Sequence, residues 1–207
     1  MTVAYEQLAR AGGAEGLRHA AEFFMPDAPV KRTLRKITAK LTELGIPHAV
    51  VGGMALVFHG YERTTVDVDL LVTEEGLRRV HDALDGLGYL PPFAGSKHLR
   101  DTETGVRIEF LVTGGYPGDG KPKPVAFPDP ADVAVEIDGA RVLSIEKIVE
   151  LKLASGMTNP GRLKDLADVQ ELIRFANLDE TLADRLNEFV RAKYLELLAA
   201  TRSDSSE

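Results

Sequence analysis

The sequence predicts an α/β protein with a mixed sheet and a helical C-terminal extension, and three observations carry that prediction. The stretch Val50 to Val72, VVGGMALVFHGYERTTVDVDLLV, reads as strand, Gly-Gly turn, short helix and second strand, about one βαβ unit. A separate apolar segment, Val106-Arg107-Ile108-Glu109-Phe110-Leu111-Val112, alternates as a further strand. From Ser144 onward apolar residues recur at helical spacing. The chain of 207 residues then divides into an N-terminal arm over 1–30, a core over 31–143 and a helical region over 144–207.

Taken in order, the arm reads as one short helix and an irregular tether, with Pro26 and Pro29 following Phe23-Phe24. Thr33 to Leu44 is an amphipathic helix, since Leu34, Ile37, Leu41 and Leu44 repeat at helical spacing and Gly45 follows as a stop. His48-Ala49-Val50-Val51 is a short buried strand. Gly52-Gly53 turns it into a helix with an apolar body, Met54 to Phe58, and Gly60 is placed as the residue after its cap. Val66 to Val72 is the next strand. Glu75 to Leu87 is a helix facing inward through Leu77, Val80, Leu84 and Leu87. Lys97 to Asp101 is a short strand joined through the turn 102–105 to the strand carrying Glu109.

GGYPGDGKPKPVAFPDP, between Gly114 and Pro130, is too rich in Gly and Pro for a regular element and reads as an ordered loop or flap. Its Lys121 and Lys123 are solvated there, or alternatively touch substrate phosphates. Ala134 to Leu143 is a hairpin with Asp138-Gly139 at the turn. A helix over Ile145 to Ser155 starts after Ser144, a good N-cap. A second helix begins near Arg162. A last one runs from Glu180 to Ala200, burying Leu182, Leu186, Phe189, Val190, Leu197 and Leu198, and TRSDSSE trails as a solvated tail.

The chemistry concentrates on the strand Val66 to Val72. Side chains alternate faces along a strand, so Val66, Val68, Leu70 and Val72 share one face while Asp67 and Asp69 stand together on the other. Like charges so placed repel each other. A divalent metal removes the conflict, and hard carboxylate oxygens suit magnesium or manganese.

Gly52-Gly53 opening a helix, then Asp67-Val68-Asp69 on the next strand, resembles the nucleotidyltransferase fold of DNA polymerase beta, kanamycin-type adenylyltransferases and minimal nucleotidyltransferases. The Gly-Gly-x-Ala-x3-His-Gly-x2-Arg-x-Thr-x-Asp-x-Asp spelling is most similar to the AbiEii toxin-like branch, and the resemblance spans roughly Thr33 to Asp168. It implies a third carboxylate on a later strand, best matched by Glu109, one methylene longer than the usual Asp; Asp101 and Glu103 are the nearest alternatives. It implies two Mg2+ (or Mn2+) ions between Asp67, Asp69 and Glu109, with Glu109 helping to deprotonate an acceptor hydroxyl. Gly52 and Gly53 would let backbone N–H groups approach a triphosphate.

Arg63 would act as a cation beside that triphosphate or as a salt bridge orienting Asp67 or Asp69, and His59 as a packing or capping residue. Lys152, on the border of an apolar stripe, pairs with a carboxylate or reaches the nucleotide phosphates. Lys164 and Asp168 stand one turn apart as a surface ion pair, while a similar basic-acidic signature in AbiEii-like proteins implies that Lys164 and Asp165 border the nucleotide site. The implied reaction moves a nucleoside monophosphate from an NTP to a tRNA end, a protein hydroxyl or a small molecule. A toxin role implies an antitoxin partner. The rival is a non-catalytic nucleotide- or partner-binding module, which would have no need of three carboxylates.

Composition narrows the setting. The absence of cysteine excludes disulfides and thiolate metal sites. No run of about 18 apolar residues is present to span a membrane. The polar, acidic start MTVAYEQLARAGG lacks the apolar centre of a signal peptide, so a cytoplasmic location is expected. A net charge of −7 disfavours broad attachment to nucleic acid while leaving room for a local basic groove.

Overall fold

The computed structural model describes Tyr5, Gln7 and residues 13–204. Of the expected arm, residues 1–4, 6 and 8–12 lie outside those described; the rest holds helix α1 (Gly13–Phe23) and the start of α2 (Pro29–Glu43). Helix α2 begins earlier than its apolar spacing predicts, because Pro29 falls in the first turn, where a missing N–H costs nothing. There follow β1 (His48–Val51), α3 (Gly52–Phe58), β2 (Asp67–Val72), α4 (Glu74–Leu84), β3 (Tyr89–Leu90), β4 (His98–Asp101) and β5 (Arg107–Val112). A short helix, α5 (Pro130–Val133), leads into β6 (Ala134–Ile137) and β7 (Ala140–Leu143). The chain closes with α6 (Ile145–Thr158), a 3-10 turn (Pro160–Arg162), α7 (Leu163–Phe175), α8 (Thr181–Arg185) and α9 (Glu188–Asp204).

The strands form one seven-stranded sheet in the order β3-β4-β5-β2-β1-β7-β6. It is mixed, as expected: β2 runs parallel to β5 and β1 to β7, and the other neighbours are antiparallel. The unit read as βαβ is one of the antiparallel pairs. Helix α3 has seven residues, about 10 Å of rise, too little to carry the chain back along the sheet. It stays at one end, and β2 returns beside β1.

Packing explains the strands. Val68, Leu70, Ile108 and Phe110 are fully buried at alternate positions of β2 and β5. Helix α2, with Ile37 and Leu41 fully buried, packs against β2, and α4 packs against β5. Asp138 and Gly139 both adopt positive φ, 50° and 76°, as a two-residue type I′ hairpin turn requires.

Several boundaries depart from expectation for local reasons. Helix α4 is capped by the Thr73 hydroxyl, which accepts from Gly76 N at 2.9 Å, and it stops at Leu84 because Asp85 is extended. Leu87, expected inside, is 75% exposed. Strand β3, just after the segment the spacing predicts as helix, pairs with β4. Ser144 stands at the N-cap of α6 without a capping bond from its side chain. The single last helix is two: Leu186 is extended, and Asn187 accepts from Phe189 N at 3.0 Å, restarting the helix as α9. Thr201, assigned to a solvated tail, is buried within α9; residues 205–207 lie outside the described chain. Among the described residues no helix is long and apolar enough to cross a membrane.

Candidate active site

The sheet register assembles the site. Parallel pairing sets Asp67 opposite Arg107 and Asp69 opposite Glu109, and β4 adds His98 opposite Glu109 and Arg100 opposite Arg107. Cross-strand partners share a face. Two rows therefore cross three strands on the side away from the buried Val68, Ile108 and Leu99: Asp67-Arg107-Arg100 and Asp69-Glu109-His98.

Within the first row both oxygens of Asp67 are held. The Thr65 hydroxyl donates to Oδ1 at 2.9 Å, and Arg107 Nη2 donates to Oδ2 at 3.1 Å. The same Arg107 nitrogen donates to Glu109 Oε2 at 3.3 Å. In the second row the carboxylate of Asp69 packs under Gly52. Burial pushes this carboxyl up to about 7; the charges of Asp67 and Glu109 add to the shift, and Arg107 and Lys152 reduce it. His98 Nδ1 lies 4.0 Å from Glu109 Oε2, and that buried nitrogen has no hydrogen-bond partner among the described residues.

The two glycines have a local reason to be there. Gly52 has φ +60°, and a Cβ on it would fall inside the Asp69 carboxylate. A Cβ on Gly53 would lie 2.8 Å from the Oγ1 of Thr65, the residue that holds Asp67. The turn is thus fitted closely to Asp69 and to Thr65.

A cleft of about 500 Å³ opens beside this face, walled by Gly52, Glu109, His98, Lys97, Lys152 and Asp165 and by the loop that starts at Gly114. Asp67 and Asp69 are not wall residues; the Asp69 carboxylate lies against Gly52, which is. A larger groove of about 870 Å³ lies between α2, α3 and the β6–β7 turn, lined by residues such as Leu34, Met54 and Phe58, and contains none of the sheet carboxylates.

A second charged cluster lies where α6 meets α7. Lys152 Nζ donates to Asp165 Oδ1 at 2.9 Å and to Asp168 Oδ2 at 2.7 Å, and Arg63 Nη1 reaches both oxygens of Asp168 at 2.8 Å. Ser155 Oγ donates to Asp165 at 2.6 Å. Burial raises the Asp165 carboxyl, but Lys152, the Ser155 hydrogen bond and Arg162 outweigh it and hold the group below the usual range.

The expected residues thus separate. Asp67, Asp69, Glu109 and Gly52 come together, with Gly53 behind Thr65. Lys152 and Asp165 reach the cleft wall as a pair. Arg63 does not orient Asp67 or Asp69; its partner is Asp168. Lys164 is exposed on α7, and Asp168 pairs with Arg63 and Lys152 rather than with it. Lys123 is folded into its own loop, donating to Asp119, Pro117 O and Lys121 O, while Lys121 is exposed. His59 packs as expected, with Nε2 2.8 Å from Leu143 O. Asp101 and Glu103 are tied to Lys36 on α2. Thr65, Arg107 and His98 join the site without a place in the sequence pattern that predicts it. Thr65 and Arg107 each stand two residues before a carboxylate, a same-face signal available in the sequence; His98 is placed only by register.

Among the described residues no three His, Asp or Glu side chains form a ready-made cage for a metal ion. Magnesium in particular is ordinarily held by one or two carboxylates, with water and substrate phosphates completing its shell. The Asp67–Asp69 pair, in which the Asp69 carboxyl is raised first by burial and then by the charges of Asp67 and Glu109, fits one such ion.

A family model described as uncharacterised nucleotidyltransferase matches residues 17–201. Among solved structures, the solution structure of the antibiotic-resistance factor ANT(2'')-Ia is similar at 17% identity, covering 84% of this chain and 92% of that one, with a TM-score of 0.52. An antigenic nucleotidyltransferase-like protein from Paracoccidioides brasiliensis is similar at 17% identity, covering 87% and 91%, with a TM-score of 0.52. At such identity the likeness is one of fold. No curated protein matches the chain.

Proposed function

The chain belongs to this nucleotidyltransferase family, and from that premise we propose that it moves a nucleoside monophosphate from an NTP to a hydroxyl-bearing acceptor, using the face of β2 and β5. The observation that carries the proposal is the register that sets Glu109 beside Asp69, two residues from Asp67, at the edge of a cleft. Asp67 and Asp69 would hold magnesium or manganese, which when bound supplies positive charge against the phosphate oxygens. Thr65 fixes the rotamer of Asp67, and Gly52 admits Asp69 to the turn. Lys152, with two of its three donors committed to Asp165 and Asp168, keeps one for a phosphate in the cleft.

Glu109 faces the acceptor side. As the acceptor oxygen bonds to the α-phosphorus, the bond from that phosphorus to the bridging oxygen breaks and pyrophosphate leaves; the hydroxyl proton passes to Glu109. The AbiEii-like spelling supports an RNA end or a protein hydroxyl as acceptor and a toxin paired with an antitoxin, whereas the adenylyltransferase likeness supports a small molecule.

Incubation with labelled NTPs, magnesium and separate pools of RNA, protein and aminoglycoside tests the reading and selects the acceptor. Glu109→Gln is expected to leave NTP affinity within a few-fold while transfer falls about 10²-fold or more. Equal transfer by both proteins would remove Glu109 from the chemistry. No transfer to any pool by the wild type would leave the binding-module rival.

A further inference from the structure

The cation already present between the carboxylates is Arg107. Its Nη2 lies 3.1 Å from Asp67 Oδ2 and 3.3 Å from Glu109 Oε2, so a single nitrogen bridges a carboxylate on β2 and another on β5. Asp67 Oδ1 accepts one hydrogen bond, from Thr65, and keeps a lone pair on the side of Asp67 that Arg107 does not occupy. A divalent ion shared by Asp67 and Glu109 would need oxygens about 2.0–2.1 Å from its centre, inside the space that this nitrogen fills. The guanidinium and such an ion exclude each other. Asp69 is outside this bridge, and the charge of Arg107 acts on it through space, lowering its carboxyl against the larger upward effect of burial.

We propose that Arg107 is a resident counter-cation that competes with metal for Asp67 and Glu109. Without nucleotide the protein then takes up one divalent ion, at Asp67 and Asp69, and Glu109 becomes a metal ligand only when Arg107 leaves it. The physical reason is charge. Three carboxylates on one sheet face repel one another, and a fixed guanidinium screens two of them at no cost in dehydrating an ion. This inference rests on the reading of Asp67 and Asp69 as metal ligands and adds an order of loading to it.

The test is Mn2+ binding to the full chain without nucleotide, followed by calorimetry and by loss of the free-ion electron-spin-resonance signal. Wild type, Arg107→Met and Arg107→Lys are compared. The wild type is expected to bind one Mn2+. Arg107→Met keeps an apolar stem without the charge, and is expected to bind two, with the first tighter by about tenfold or more. Arg107→Lys keeps the charge and should stay near wild type. Melting temperatures in chelator and in Mn2+ supply a second readout: Arg107→Met should be the less stable protein in chelator and gain more from Mn2+ than wild type does. Equal number and affinity in wild type and Arg107→Met would overturn this proposal alone. No Mn2+ uptake by any of the three would overturn the metal reading as well. If Arg107→Met and Arg107→Lys stay unfolded even in Mn2+, Arg107 does something a cation cannot replace, and the proposal fails.

Discussion

Asp69 shows how much one residue's setting matters. An aspartate in an unfolded chain titrates near 3.9, whereas here burial first, then Asp67 and Glu109, move it up to about 7. Between those values the unfolded carboxyl is ionised while the folded one keeps its proton. The stability contributed by this group is therefore full below about pH 4 and is lost as pH rises toward 7. Asp69→Asn removes the dependence at nearly constant volume. In urea unfolding with a chelator present, the variant is expected to gain on the wild type between about pH 4.5 and about pH 7.5, by on the order of 1 kcal/mol or more. A difference that stays flat across that window would mean that Asp69 ionises like an exposed carboxyl.

At the scale of an element, the turn from β1 into α3 is where backbone and chemistry meet. Gly52 and Gly45 both have φ near +60°, but Gly45 has open space where a Cβ would go, and Gly52 has the Asp69 carboxylate. Alanine at either site meets the same left-handed strain, about 1–3 kcal/mol. Only Gly52→Ala should also displace Asp69. Thermal melts of the two variants are expected to fall together in part, with Gly52→Ala lower, while Mn2+ affinity drops in Gly52→Ala and holds in Gly45→Ala. Loss of affinity in both would make the effect one of general unfolding. The glycines themselves were legible as a turn, because a strand meeting a helix needs such a bend. That they leave room for Asp69 and Thr65 was not legible, since neither contact follows from spacing along the chain.

Across the whole molecule, the Arg63–Asp168–Lys152–Asp165 network joins the segment before β2 to α6 and α7, and so ties the helices to the strand that carries Asp67 and Asp69. Its members are largely buried, with side chains 6–14% exposed. Asp168→Asn would leave Arg63 and Lys152 without their shared countercharge, and the expected loss is about 3–5 kcal/mol. Lys40→Gln, which breaks the exposed pair with Glu43, should cost less than about 1 kcal/mol. Urea midpoints compare the two directly. Similar small losses would mean that water reaches the network and that the helices dock by apolar contact alone.

Features that depend on near neighbours along the chain could be read from the order of residues. Strand alternation put Asp67 and Asp69 on one face, and Arg107 with Glu109 on one face of another strand. Helical periodicity located α2, α4 and the C-terminal helices, and turn chemistry located the β6–β7 hairpin. Which strands lie side by side, in which direction and in what register, emerges only when the chain folds. The parallel pairing of β2 with β5 brings Asp69 to Glu109 and puts Arg107 between Asp67 and Glu109, and Arg63 finds Asp168, 105 positions away. Such pairings are set by burying apolar faces against each other over the whole sheet, a many-body packing result that no local pattern of residues encodes.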